Sequence, residues 1–187
     1  MNDFRDRIRQ RLGQHVPARI QAPDRIPAAV LIPFFEKNGE LHLLFTKRTD
    51  QLQHHRGEIC FPGGVKEPGD EDLLRTALRE LEEEISVPSS SVEVLGSLDE
   101  LKTVVTNFVV VPYVGFLGTD TRFDPNKNEV EELLEIPFQH FQNPSIFHEE
   151  RRMVDQQLYS VYYYRWQNHT IWGVTGRILK SLLDLLL

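Results

Sequence analysis

Apolar residues recur along the chain at two periods, and the places where one period gives way to the other outline its elements. Phe4, Ile8 and Leu12 stand at helical spacing among Arg, Asp and Gln, which predicts an amphipathic helix over residues 2–13. A Pro-containing connection follows, so residues 1–26 read as an N-terminal helix and connection appended to the rest. Residues 28–35 and 41–46 read as two strands joined by a tight hairpin turn at Asn38-Gly39. A short strand over 58–61 then leads into Pro62-Gly63-Gly64, a loop over 65–69 and a helix start marked by Asp70. Leu74, Ala77, Leu78, Leu81 and Ile85 give that helix one buried face.

Strands are predicted over 92–98 and 108–116, the second so continuously apolar that it belongs at the centre of a sheet. A long polar loop opens at 118–121, and residues 129–136 form a further strand before Pro137. Residues 156–172 alternate apolar and polar positions around a turn at Gln167-Asn168. Val174, Ile178, Leu179, Leu182, Leu183 and Leu186 close the chain as an amphipathic helix. The pattern is of the α+β class: a mixed β-sheet packed between helices, as a single domain of 187 residues.

Charge narrows what such a domain binds. A formal net charge of -7 removes the sequence-independent phosphate attraction on which general nucleic-acid binders rely. A polyanionic small-molecule substrate must then be met locally, by metal and a few Arg or Lys. One cysteine, Cys60, makes no internal disulfide, and the charged start lacks the apolar core of a secretory signal, so a cytoplasmic location is expected. No apolar stretch approaches the roughly 18 to 20 residues of a membrane span. The oligomeric state is not legible, and a homodimer is left open.

The candidate chemistry lies in Arg79-Glu80-Leu81-Glu82-Glu83-Glu84. A helical step of about 100° per residue puts Glu80, Glu83 and Glu84 in one sector and turns Glu82 away. Three carboxylates on one face repel one another, and a divalent cation converts that liability into a site. Mg²⁺ prefers oxygen ligands and commonly bridges one or two carboxylates to substrate phosphates. The implied reaction is phosphoryl transfer to water, with the cation acidifying a water and a carboxylate taking its proton. Taken alone, the same run reads first as a solvated acidic helix face, as charge runs usually do.

The context changes that reading. Residues 64–87 resemble the Nudix box, G-x5-E-x7-R-E-U-x-E-E-x-G-U with U apolar, matching fully at Arg79, Glu80, Leu81, Glu83 and Glu84 and again at Val87. Gly64 stands one residue further from Arg79 than the general pattern, and Ser86 replaces the final Gly. The longer spacing is that of the coenzyme A pyrophosphatase branch, which also carries an upstream motif, L-L-T-x-R-[SA]-x3-R-x3-G-x3-F-P-G-G. Thr46, Arg48, Gly57 and Phe61-Pro62-Gly63-Gly64 match it in register, while Thr49 and Gln53 depart from it.

The resemblance implies the Nudix α/β/α sandwich and hydrolysis of coenzyme A or a derivative with Mg²⁺ or Mn²⁺. Carried over by residue, Glu80 and Glu84 are metal ligands, Glu83 is a third ligand or the general base, and Arg79 orients a carboxylate. Gly63 and Gly64 are expected to take positive φ and bring backbone close to a phosphate. Arg48 and Arg56 are candidate phosphate clamps, because guanidinium matches phosphate geometry. Glu129, with Glu131 and Glu132, lies where some relatives recruit an extra catalytic carboxylate. His54 and His55 lack suitably spaced co-ligands, Cys60 reads as a core thiol, and Tyr159, Tyr162, Tyr163, Tyr164 and Trp166 read as packing. Another nucleoside diphosphate derivative is the alternative substrate class. A catalytically silent binding module is disfavoured by the retention of all three glutamates.

Overall fold

The computed structural model describes residues 2–49 and 57–187, so Gln53, His54, His55 and the candidate clamp Arg56 lie outside the described residues. Strand β1 (Ile26–Lys37) is almost unbroken in apolar residues because both of its faces are covered. Ala28, Ile32 and Phe34 enter one core, and Ala29, Leu31 and Phe35 enter another on the opposite face. Its hairpin partner β2 (Glu40–Arg48) is reached through Asn38 and Gly39, at φ 54° and 80°, as the expected tight turn requires.

The two strands pair only near that turn, from Lys37↔Glu40 to Phe34↔Leu43, and then part. Where they have parted, β3 (Ile59–Cys60) pairs with β2 and β4 (Gly63–Val65) pairs with β1. After helix α2 (Leu73–Ile85) come β5 (Val92–Ser97), β6 (Leu101–Lys102) and β7 (Phe108–Leu117). β7 runs parallel to β1 and carries β5 and β6, while β8 (Val130–Pro137) pairs antiparallel with β2. The result is the expected mixed sheet, of eight strands.

A second sheet follows, of β9 (Phe147–Val154), β10 (Gln157–Trp166) and β11 (His169–Ile171), all antiparallel. The alternation over 156–172 anticipates its last two strands. β9 is not anticipated, because its Glu149-Glu150-Arg151-Arg152 run hides the period. Helix α3 (Gly173–Leu186) ends the chain.

Helix α1 (Asn2–Gln14) overturns one expectation. It is no appendage: Ile8 and Leu12 are fully buried and join the same core as α3 and the sheet. Burying two such side chains stabilises the fold by about 3–6 kcal/mol, which binds the helix to the domain. α1 and α3 thus cover one face of the sheet and α2 the other. Among the described residues no helix is long and apolar enough to cross a membrane.

Candidate active site

The segment from Gly63 to Ile85 is held on two sides before it presents any carboxylate. Gly63 and Gly64 pair with Val30 and Ala29 as extended strand, so the expectation of positive φ is incorrect. They are needed for close approach instead. A Cβ on Gly63 would collide with the Ala29 carbonyl and Val30 Cα of β1, and one on Gly64 would collide with the Glu80 carboxylate.

The helix starts at Leu73, not at Asp70. Asp72 is its N-cap, accepting from the Arg75 amide at 2.7 Å. Asp70 is released for another task. Nearly buried, it accepts from Arg79 Nε at 3.1 Å, Arg79 Nη2 at 3.2 Å, Thr76 Oγ1 at 2.9 Å and the Glu67 amide at 2.9 Å. The Arg79 hydrogen bonds hold the Asp70 carboxyl far below the usual carboxylate range, and Asp70 in turn raises Arg79. Sequence reasoning missed Asp70 because it reads as a cap. Counting back from Arg79 across the seven spacer residues of E-x7-R gives Glu71, which is exposed.

Anchored in this way, Arg79 reaches Glu80 Oε1 at 2.9 Å and Glu83 Oε2 at 2.8 Å through one nitrogen, and the Val65 carbonyl at 3.1 Å through the other. Glu83 remains 54% exposed along its side chain, while Glu80 is largely covered. Burial pushes the Glu80 carboxyl up, against the pull of Arg79. Glu82 is exposed, as its helical position predicts.

Glu84 faces inward and is almost completely buried. Thr46 Oγ1 donates to it at 3.4 Å, Arg48 Nη1 lies 3.7 Å away, and a backbone hydrogen bond comes from Gly63. These partners offset the desolvation only in part. Burial, with Glu80 and Glu129 nearby, pushes Glu84 up to about 8. Arg48 Nε is buried without a hydrogen-bond partner among the described residues. Cys60 Sγ sits 3.4 Å from Thr46 Oγ1, and burial raises its thiol to about 11, which suits a core thiol and not a nucleophile.

Glu129 approaches from the loop after β7. That loop is tied to the end of α2 by Asp124 N–H to the Ile85 carbonyl and Asn126 N–H to the Glu84 carbonyl, at 3.1 and 2.9 Å. Its neighbours are engaged elsewhere: Glu131 with Lys47 at 2.7 Å and Glu132 with His169 at 3.4 Å. Glu129 alone of the three repels both Glu80 and Glu84. Tyr164 is buried, and Tyr163 stacks on Trp172, in keeping with packing roles.

The three box glutamates share a sector but not a point, because Glu80 and Glu83 turn to Arg79 while Glu84 turns to Thr46 and Arg48. Among the described residues no three carboxylates converge into a closed cage. The donor set still suits a hard divalent cation that keeps its own waters, since Mg²⁺ needs only one or two protein carboxylates. Two covered carboxylates, both pushed toward protonation, are what such a cation would relieve.

The sequence model of the NUDIX domain matches residues 25–157. The chain belongs to the Nudix family. It is 36% identical over 182 residues to an uncharacterized Nudix hydrolase, NudL, of Photorhabdus laumondii, covering 97% of this chain and 95% of that protein. The NudL of Pectobacterium atrosepticum is 35% identical over 97% of this chain and 92% of its own length. Among solved structures, a MutT/nudix family protein from Enterococcus faecalis aligns with TM-score 0.57 at 16% identity, over 98% of this chain and 68% of that one. That similarity concerns the fold. The chain is thus a Nudix pyrophosphohydrolase, of a family that uses divalent metal cations.

Proposed function

We propose that this Nudix hydrolase cleaves the pyrophosphate bond of coenzyme A or its derivatives, giving a phosphopantetheine product and adenosine 3′,5′-bisphosphate. The observation that carries the reading is the meeting of its two motifs: Thr46 and Arg48 of the upstream motif both approach Glu84 of the box. Residues far apart in the chain, belonging to the two motifs that the coenzyme A branch carries together, form one cluster.

In this reading Glu80 and Glu84 hold Mg²⁺ or Mn²⁺, with Glu83 as third ligand or general base. When bound, the cation supplies charge neutralisation at the pyrophosphate and acidity to water. Arg79, itself fixed by Asp70, orients Glu80 and Glu83. Glu83 or Glu129 accepts the proton of the attacking water, Glu83 being the more exposed. Arg48 and Arg56 engage substrate phosphates; the orphaned Nε of Arg48 is a donor in want of such an acceptor. Gly64 leaves room for the Glu80 carboxylate, and Gly63 lets its strand lie close against β1. A reducing, cytoplasmic setting suits the single free thiol.

A substrate panel with Mg²⁺ and Mn²⁺ tests the reading. Coenzyme A is expected to have the highest kcat/KM, with adenosine 3′,5′-bisphosphate as product. A preference for ADP-ribose or a dinucleotide by tenfold, about 1.4 kcal/mol in the transition state, would overturn the substrate while leaving the pyrophosphohydrolase intact.

A further inference from the structure

A cavity of about 550 Å³ lies outside the carboxylate cluster and falls within the size range of small-molecule sites. It opens where the two parts of the main sheet diverge. Residues 102–106, between β6 and β7, wall it on one side, and Glu58 and Ile59 wall it on the other. Its floor is β10 with the start of α3.

The β10 wall is an unfinished strand edge. β11 pairs only with Tyr164, Arg165 and Trp166, so residues 157–163 have β9 on one side and no strand on the other among the described residues. β9 and β10 are joined by Asp155 and Gln156, both at positive φ, a two-residue turn that makes Val154 and Gln157 a hydrogen-bonded pair. In an antiparallel ladder such pairs alternate. Leu158, Ser160 and Tyr162 therefore turn their backbone N–H and C=O groups away from β9. The carbonyl of Tyr162 sits against Gly176 of α3, leaving Leu158 and Ser160 to face the cavity.

Ile59, Val105, Val174 and Leu158, the last 56% exposed, add apolar lining around this polar edge. Lys102, Arg152 and Arg177 add positive charge against one wall carboxylate, Glu58, on a chain of net charge -7. Arg152 is held by Glu150 at 3.1 Å, and Arg177 donates to the Lys102 carbonyl at 3.2 Å. The ligand such walls fit is extended and largely apolar, carries amide groups that complete a strand edge, and is joined to an anionic group.

On the coenzyme A reading given above, we propose that this cavity receives the phosphopantetheine arm of the substrate, its two amides hydrogen-bonded to the open edge of β10 at Leu158 and Ser160. Strand β3 links the cavity wall to the carboxylate cluster. Ile59 lines the cavity, and the next residue, Cys60, touches Thr46, which donates to Glu84.

Calorimetric titration with 4′-phosphopantetheine tests the site without any turnover. Ser160→Pro deletes one edge donor at a position not bonded to β9, and Leu158→Glu sets a charge against the apolar part of the arm at an already exposed position. Each is expected to weaken binding by roughly tenfold or more. Under turnover, each raises KM for coenzyme A more than it lowers kcat. Unchanged 4′-phosphopantetheine affinity in a folded Leu158→Glu protein, judged by its thermal melt, overturns the proposal, whatever Ser160→Pro does. The two readings fail separately. Cleavage of coenzyme A that is indifferent to both substitutions sinks the cavity assignment alone. Binding of 4′-phosphopantetheine that both weaken, without coenzyme A cleavage, sinks the substrate reading alone.

Discussion

Helices α2 and α3 are nearly equal in length, 13 and 14 residues, and lie on opposite faces of the same sheet. α3 buries Ile178, Leu179, Leu182 and Leu183 and has no side-chain cap at its start. α2 buries fewer large apolar groups, includes Thr76 and Glu84 among its buried residues, and is capped by Asp72 and by a left-handed Ser86. A helix that only packs is held by area. One that carries carboxylates inward loses part of that stabilisation, and caps, a buried Asp–Arg pair and a backbone donor make up the difference. The contrast predicts that substitutions on α2 and its loop separate activity from stability.

The largest effect is expected at Glu84. Glu84→Gln should lower kcat/KM on the order of 10²- to 10³-fold, by analogy with other losses of transition-state charge stabilisation, while the protein remains folded. Stability should respond in the opposite sense. Because the folded carboxyl titrates at about 8 and the unfolded one near 4.5, the group favours the folded state fully below about 4.5. That contribution is lost as pH rises through about 8. Without divalent cation, the urea midpoint of the wild type should therefore fall between those values. Glu84→Gln should flatten the slope, and Mg²⁺ should reduce it. A slope unchanged in Glu84→Gln would assign it to another group, Glu80 first, whose shift has the same sign.

Asp70→Asn should come next, and mainly in stability. Removing one member of a covered, multiply bonded pair costs about 3 kcal/mol and leaves Arg79 without its anchor. Here the linkage runs the other way. The depressed carboxyl stabilises the fold above its unfolded value near 3.8, and this is lost as pH falls through the lower folded value. Wild type and variant should therefore differ most in urea at neutral pH and converge in acid. A constant gap would mean that packing, not charge, accounts for the loss.

The two neighbouring glycines sharpen the same contrast. In Gly63→Ala the new methyl meets β1 backbone, which cannot move cheaply, so stability should drop by about 1–3 kcal/mol. In Gly64→Ala it meets only the Glu80 carboxylate, the mobile end of a side chain, so the melt should hold while activity falls. Equal melting losses in both would show that Glu80 is as immobile as the strand.

Much of this architecture was legible because period and turn chemistry agree. Asn38-Gly39, the apolar stretch of β7 and the leucines of α3 each state one answer. The sector of Glu80, Glu83 and Glu84 was equally plain from helical geometry. What escaped depends on contacts between distant segments. Asp70 reads as a cap until Arg79 is seen beside it, and Gly63 reads as a turn residue until β1 is seen against it. Ile8 and Leu12 mark a helix face without saying what it covers. Glu84 reads like its neighbours, and only Thr46 and Arg48 reveal that it points inward.

Ser86, the departure from the Nudix box, carries the smallest expected effect. It adopts φ 58° and ψ 30°, the left-handed conformation for which the family's glycine suits, and its amide closes the helix on the Glu82 carbonyl at 2.9 Å. A serine there is disfavoured by about 1–2 kcal/mol against glycine. Its hydroxyl recovers part of this by donating to the Asp124 carbonyl at 3.0 Å, an exposed bond contributing about 0.5–1.5 kcal/mol. Ser86→Gly exchanges one term for the other, and the greater freedom of glycine in the unfolded chain offsets some of the gain. The net change in urea unfolding should stay within about 1 kcal/mol. Activity should change by no more than about twofold, because the loop to Glu129 stays attached through the Asp124 and Asn126 amides. A loss beyond about 2 kcal/mol would instead make the Ser86 hydroxyl the principal tie between α2 and that loop.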